Sequence, residues 1–195
     1  MSTQAHPSDR QSLSRRAFVG TGALVAVGSL SGCLTRWPFQ RGEVTETVTG
    51  TFTPADVQEI RVTNAIGDVT VRGVDTDEIG VRVLKRSVVG ARGLEDITVR
   101  IGVESGVLTV ETSLADDVTW FTRSSPGTDV SITVPQGTAG PIVSSVASRL
   151  GNVSLFDTRG DTIARTNLGD VTAARVDGYL TLESELGTIL ASDVA

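Results

Sequence analysis

Five glycines, Gly151, Gly160, Gly169, Gly178 and Gly187, stand at a constant interval of nine residues in the last quarter of the chain. Aligned on them, the segments GNVSLFDTR, GDTIARTNL, GDVTAARVD, GYLTLESEL and GTILASDVA match better in alternate rows than in adjacent ones, so the repeat is eighteen residues long and has two halves. Leu150, Leu168 and Leu186 then share one position, Val153, Val171 and Ile189 a second, and Leu155, Ala173 and Ala191 a third. Alternation of apolar and polar residues between the glycines is a strand signal, because successive side chains of a strand point to opposite faces. Glycine at each corner supplies backbone angles that other residues resist. The pattern predicts stacked coils of two short strands each, with Thr162, Ala164, Thr166 and Leu168, then Leu180, Leu182, Ser184 and Leu186, pointing inward. A coil of this kind buries its apolar face only against its neighbours, so several are needed.

Upstream, plain alternation replaces the nine-residue beat: Ile60, Val62; Val69, Val71; Ile79, Val81, Val83; Ile97, Val99, Ile101, Val103; Val107 to Val110; Val130, Ile132, Val134. Each run reads as a strand, and turn residues separate them, as in Asn64-Ala65-Ile66-Gly67-Asp68 and Asp75-Thr76-Asp77-Glu78. No helix is expected. Residues 113–127 and 136–147 are the longest irregular stretches. The expected fold is all-β: a single-domain β-solenoid, similar to a parallel β-helix, with two strands per eighteen-residue coil in the C-terminal part and more irregular strands in the N-terminal part. The last rung, Gly187 to Ala195, is expected to be an edge that Asp193 blunts or that a further strand extends.

The first thirty-two residues read differently. Arg10, Arg15 and Arg16 precede an apolar stretch, Ala17 to Leu30, that is too short for the roughly twenty residues a membrane span needs. Ser14-Arg15-Arg16-Ala17-Phe18-Val19 resembles the twin-arginine export motif, in which the paired guanidinium groups are read by a receptor. Leu30-Ser31-Gly32-Cys33 resembles a lipobox, and the cysteine is the only one in the chain. The expected organisation is a signal peptide over 1–32, a membrane-proximal tether over 33–43 beginning with lipidated Cys33, and a β-strand-repeat domain over 44–195. One acyl chain holds a protein to a membrane only marginally; Trp37 and Phe39, between Arg36 and Arg41, are of the type that settles among headgroups. The location expected is the outer face of the cytoplasmic membrane.

Cleavage before Cys33 would leave 163 residues with fourteen basic against twenty-two acidic side chains, a net charge of −8. Sixteen of the seventeen basic residues of the full chain are arginine, and Lys85 is the lone lysine, an imbalance expected of a halophilic source. The acidity and the lack of a basic patch after residue 41 argue against nucleic acid as a partner.

Ile60-x-Val62-x-Asn64-x-x-Gly67-Asp68-Val69-x-Val71, then Ser131-Ile132-Thr133-Val134-Pro135 and the Gly-Asp-Val repeats, resemble the "putative adhesin" family, the GIN-type auto-transporter adhesin head domains built of β-strand repeats. The resemblance runs from about Val44 to the end of the chain. It implies a β-strand-repeat architecture and surface attachment. That family is largely of unknown function, and the resemblance implies no catalytic residue.

Chemistry is scarce after export. The single histidine, His6, would leave with the signal peptide and lipidation would occupy Cys33, which removes Ser-His-Asp, Cys-His and histidine-zinc chemistry. Lys85 has no serine three residues before it and, in an alternating strand, is expected to be an exposed charge. No cofactor or metal is expected. Asp116 and Asp117, beside Trp120 and Phe121, are the one pair of carboxylates placed for work on a sugar, with the aromatic rings as a contact surface; the plainer reading is a solvated loop. The Gly-Asp pairs at Gly67-Asp68, Gly160-Asp161 and Gly169-Asp170 lack the glycine density of calcium-binding nonapeptide repeats and read as corners in which Asp bonds nearby backbone. Asn152-Val153-Ser154 matches the acceptor sequence for N-glycosylation. The function expected is adhesion or contact with an envelope protein or glycan by a lipid-anchored, non-enzymatic surface protein, with self-association through an edge strand as a further partner reading. The competing readings are a carbohydrate-active enzyme using Asp116 or Asp117 and an envelope-stress or signalling accessory protein.

Overall fold

The computed structural model describes residues 31–35, 43–88, 90–115, 126–137 and 140–194. In chain order its strands are β1 (Ser31–Thr35), β2 (Val44–Phe52), β3 (Glu59–Ile66), β4 (Val69–Val74), β5 (Ile79–Ser87), β6 (Ile97–Glu104), β7 (Val107–Leu114), β8 (Gly127–Pro135), β9 (Ile142–Leu150), β10 (Val153–Phe156), β11 (Thr162–Leu168), β12 (Val171–Val176), β13 (Leu180–Leu186) and β14 (Ile189–Val194). Every alternating run read from the sequence lies in one of them. Valine, isoleucine and threonine dominate these segments, and branched side chains pack well on a pleated, half-buried surface.

Among the described residues the strands form two mixed sheets and no closed barrel. One has the order β1-β2-β5-β8-β4-β10-β12-β14, the other β13-β11-β9-β3-β7-β6. The eighteen-residue interval is realised as parallel register: Val153 lies beside Val171 and Val171 beside Ile189, Leu155 beside Ala173 and Ala173 beside Ala191, and Ala164 beside Leu182. A single continuous winding does not order the N-terminal half. The unit β3–β4 sits between β7 and β8 on one side and β9 and β10 on the other, so position in the stack departs from position in the chain. Beyond β8 and β7 the pairing turns antiparallel, through β5, β2 and β1 in one sheet and β6 in the other.

The core lies between the sheets. Ile60, Val62, Leu108, Val110, Val143 and Val146 from one face Val69, Val71, Ile132, Val153, Leu155 and Val171 from the other, all essentially inaccessible. Burying an aliphatic side chain of this size contributes roughly 1.5–3 kcal/mol, so this layer is the main stabilising term.

Four expectations are corrected. Ile66, Leu150, Leu168 and Leu186 do line up at a corner, but Ile66 and Leu150 are half-buried and Leu168 and Leu186 are 47% and 68% exposed, whereas Thr162, Ala164 and Thr166 do point inward and Leu180, Leu182 and Ser184 are half-buried. The strand reaches its corner glycine before the next inward position would meet the core. Residues 142–147, read as irregular, belong to β9. Helical turns do occur among the described residues, a 3-10 turn at Pro54–Asp56 and α1 (Arg92–Glu95), which lies against β5, β2 and β6 and buries its Leu94. Lys85 is not a free surface charge: its side chain is 12% exposed and its Nζ donates to Glu46 Oε2 at 3.2 Å and to the Leu94 carbonyl at 3.4 Å.

Candidate functional site

The corners of the stack carry two regular polar ladders. Along the first, the N–H of Asn152 donates to Asp68 Oδ1 at 2.8 Å, that of Asp170 to Asn152 Oδ1 at 2.8 Å, and that of Thr188 to Asp170 Oδ1 at 2.7 Å. At the opposite corner the N–H of Tyr179 donates to Asp161 Oδ1 at 3.1 Å. Asp68, Asp161 and Asp170 are the residues of the Gly-Asp motif, and their carboxylates, with the Asn152 side-chain carbonyl, hold backbone of the next coil instead of their own turn. Corner donors that would otherwise lack a partner are satisfied in this way. The second ladder is internal: the hydroxyls of Ser148, Thr166 and Ser184 donate to the carbonyls of Gly67, Gly151 and Gly169.

Asn64 closes the internal ladder at its lower end. Its Nδ2 donates to the carbonyls of Gly67 at 2.8 Å and Thr128 at 2.9 Å, and its Oδ1 accepts from the hydroxyls of Thr112 and Thr128. All three side chains are buried. The motif Asn64-x-x-Gly67-Asp68 is therefore a structural joint between distant strands. Beside it an open groove of about 380 Å³ is lined by Glu111, Ser113, Arg149 and Asn167 among others.

A third set of residues sits at the far corner of the eight-stranded sheet. Asp157, Arg175 and Asp193 follow one another at intervals of eighteen, each with φ near +55°. Arg175 Nε and Nη2 donate to the two carboxylate oxygens of Asp157 at 2.6 and 2.8 Å. These bonds hold the Asp157 carboxyl below its ordinary pKa and push the Arg175 guanidinium above its own. On the other sheet, hydrogen bonds from Ser144 and then Arg61 lower the pKa of Glu59.

The most distinctive surface is the terminal rung, β13 with β14. Among the described residues no strand lies beyond either. Val153 and Val171 are fully buried, yet Ile189 in the same column is 44% exposed. Leu190, Val194 and Tyr179 are exposed as well, and Leu180, Leu182, Ala191 and Val194 line an open pocket of about 610 Å³ between the two sheets. The N–H of Gly151 donates to the Leu168 carbonyl and that of Gly169 to the Leu186 carbonyl; the corresponding N–H of Gly187 has no described coil to meet.

Of the residues singled out from the sequence, Arg15, Arg16, His6, Asp116, Asp117, Trp120 and Phe121 lie outside the described residues. Cys33 lies in β1, its backbone beside Thr47 of β2. Asn152 is exposed, with its side-chain carbonyl engaged by Asp170. The acidic turn at Asp75-Asp77-Glu78 is organised by Thr76, whose Oγ1 accepts from the Glu78 N–H. No group of three or more His, Cys, Asp or Glu able to hold a metal occurs among the described residues. The rung at β13 and β14 was foreseen only as an edge. The internal hydroxyl ladder was not foreseen at all, although Ser148, Thr166 and Ser184 keep the eighteen-residue spacing.

No family model matches the chain, and no curated protein matches it. Among solved structures it is similar to a "putative cell adhesion protein" from Clostridium sporogenes, with a TM-score of 0.49, 7% identity, and coverage of 76% of this chain and 99% of that one. It is also similar to a "putative adhesin" from Bacteroides fragilis, with a TM-score of 0.37 and 10% identity over 74% of this chain and 96% of that one. A "putative lipid binding protein" from Parabacteroides distasonis gives a TM-score of 0.31 and 16% identity over 76% of this chain and 59% of that one.

Proposed function

We propose that this chain is an exported, lipid-anchored, non-enzymatic surface protein whose rigid coil stack, solenoid-like in its C-terminal part, presents the β13–β14 rung to a partner in the cell envelope. One observation carries the reading: β1, which contains Cys33, and β14 are the two opposite edges of the same eight-stranded sheet. Seven inter-strand steps at about 4.8 Å each separate them, roughly 34 Å. An anchor on Cys33 would hold one end at the bilayer and carry the apolar rung outward. Large exposed apolar surface at the end of an otherwise well-packed protein marks a place of contact, and a free strand edge is a template for another strand.

Two measurements in intact cells test this. Cys33→Ser should release the protein from the membrane fraction or leave its signal uncut; unchanged fractionation and mass would remove the anchor. A photo-crosslinking side chain at Tyr179 or Leu190 should capture an envelope component, while one at Thr98, on the opposite edge of the six-stranded sheet, should not. Equal capture from both ends would remove the outer rung as the contact surface.

A further inference from the structure

Charge changes steadily along the coils that lead to the open rung. Residues 142–159 carry two arginines and one aspartate, residues 160–177 two arginines and three aspartates, and residues 178–195 three acids and no base. The acids of that last coil are Glu183, Glu185 and Asp193.

Neighbouring rungs match these charges in opposite pairs. On the outer face of the six-stranded sheet, Arg165 Nε lies 2.9 Å from Glu183 Oε2, and at the far edge Arg100 faces Glu111 at 3.6 Å. At the corner of the other sheet the order is Asp157, Arg175, Asp193. In the two series that run toward β13 and β14, the last described rung carries a carboxylate, Glu183 beside Arg165 and Asp193 after Arg175. On β13 the outward positions are Thr181, Glu183 and Glu185, and the inward positions nearest the pocket are Leu180 and Leu182. A strand added here meets two acids on one face and an unfinished aliphatic lining on the other.

We propose that β13 accepts an extended segment of a partner protein in which aliphatic residues alternate with arginine or lysine. Its backbone would continue the hydrogen-bonded ladder, its aliphatic side chains would close over Leu180 and Leu182, and its basic side chains would stand opposite Glu183 and Glu185. This rests on the reading of the outer rung as the contact end and adds the chemistry of what docks there. A second copy of this chain does not fit the same edge: antiparallel pairing of two β13 strands brings four glutamates onto one face, and like charges across a strand pair are destabilising.

The probe is a labelled peptide of alternating valine and arginine, titrated into the full chain at about 0.1 M salt, where opposite charges in contact are not fully screened. The expected result is binding at least tenfold tighter than that of the same peptide with glutamate in place of arginine. A peptide with its central valine replaced by proline keeps the charge and loses a ladder N–H, and should bind at least tenfold more weakly. Glu183→Arg with Glu185→Arg should invert the preference between the two charged peptides, while Asp77→Arg with Glu104→Arg, equal in charge and distant, should leave it in place. Equal binding of both charged peptides, indifference to the proline, inversion by the distant pair, or self-association of the chain through this edge in sedimentation would each overturn the proposal. Crosslinks from Tyr179 without peptide selectivity would sink the basic-strand proposal alone; selectivity without crosslinks would sink the contact-end reading.

Discussion

The position that a Cβ on Gly169 would take lies 2.3 Å from the carbonyl oxygen of Gly151, one coil below, and Gly169 itself has φ +145°. The same relationship recurs one coil further, where a Cβ on Gly187 would lie 1.9 Å from the Gly169 carbonyl. Corner glycines are thus kept by the backbone of the neighbouring coil as well as by their own angles, which is why the nine-residue beat tolerates so much variation between glycines and none at them.

Gly169→Ala should therefore be costly. The backbone conformation alone is worth about 1–3 kcal/mol, and the obstructing atom is main chain that cannot rotate away. Gly102→Ala is the control, because that glycine has nothing within 4 Å of its Cβ position. Urea unfolding should show a clear fall in midpoint for the first and almost none for the second.

Asn64→Ala should destabilise the junction of β3, β7 and β8. The Thr112 and Thr128 hydroxyls lose the acceptor they share and the Thr128 carbonyl loses a donor, in a buried site, while the Gly67 carbonyl keeps the Ser148 hydroxyl and the Thr128 hydroxyl keeps the Ile66 carbonyl. Each buried polar group left unpaired costs about 1–3 kcal/mol. A midpoint shift smaller than that of an exposed substitution such as Thr98→Ala would show that the network carries no stability.

Leu168→Asp should be tolerated, with a loss of no more than about 1 kcal/mol, because surface changes away from special features are mild. Ala164→Asp should unfold the C-terminal coils, since it places a carboxylate in a fully buried column. Circular dichroism melts of the two variants check the contrast.

The pair Asp157–Arg175 should contribute a pH-dependent increment. The folded state lowers the Asp157 pKa, so the native chain binds that proton less readily than the unfolded one. The stabilisation is complete above the ordinary aspartate value of about 3.9 and is lost as the pH falls from there through the lowered native value. The melting temperature of Asp157→Asn should lie below that of the parent at pH 7, and the gap should close in strong acid. A gap independent of pH would assign the effect to something other than this carboxylate.

The coils of the C-terminal part were legible because three signals coincide at one spacing: glycine at corners, Asp or Asn after three of the five, and small or branched residues between. The corner ladder from Asp68 to Thr188 and the register of Val153, Val171 and Ile189 follow from it directly. The site was less legible. Thr112 and Thr128 stand 48 and 64 residues from the Asn64 they serve, and no local pattern marks either of them. Leu168 and Leu186 follow the period of the inward residues and still end outside, because periodicity records where a strand would point if it continued and not where the corner stops it.

What the amino-acid order alone determined is local: β-structure, its eighteen-residue register, and the identity of the corners, all consequences of how a short strand and a glycine restrict the next few residues. Only the tertiary structure decided that β3–β4 lies between β8 and β9 in the stack, that Lys85 is folded under α1, and that the unfinished rung stands at the edge opposite β1. Those outcomes depend on which distant surfaces bury each other best, a sum over the whole core that no segment of the chain contains by itself.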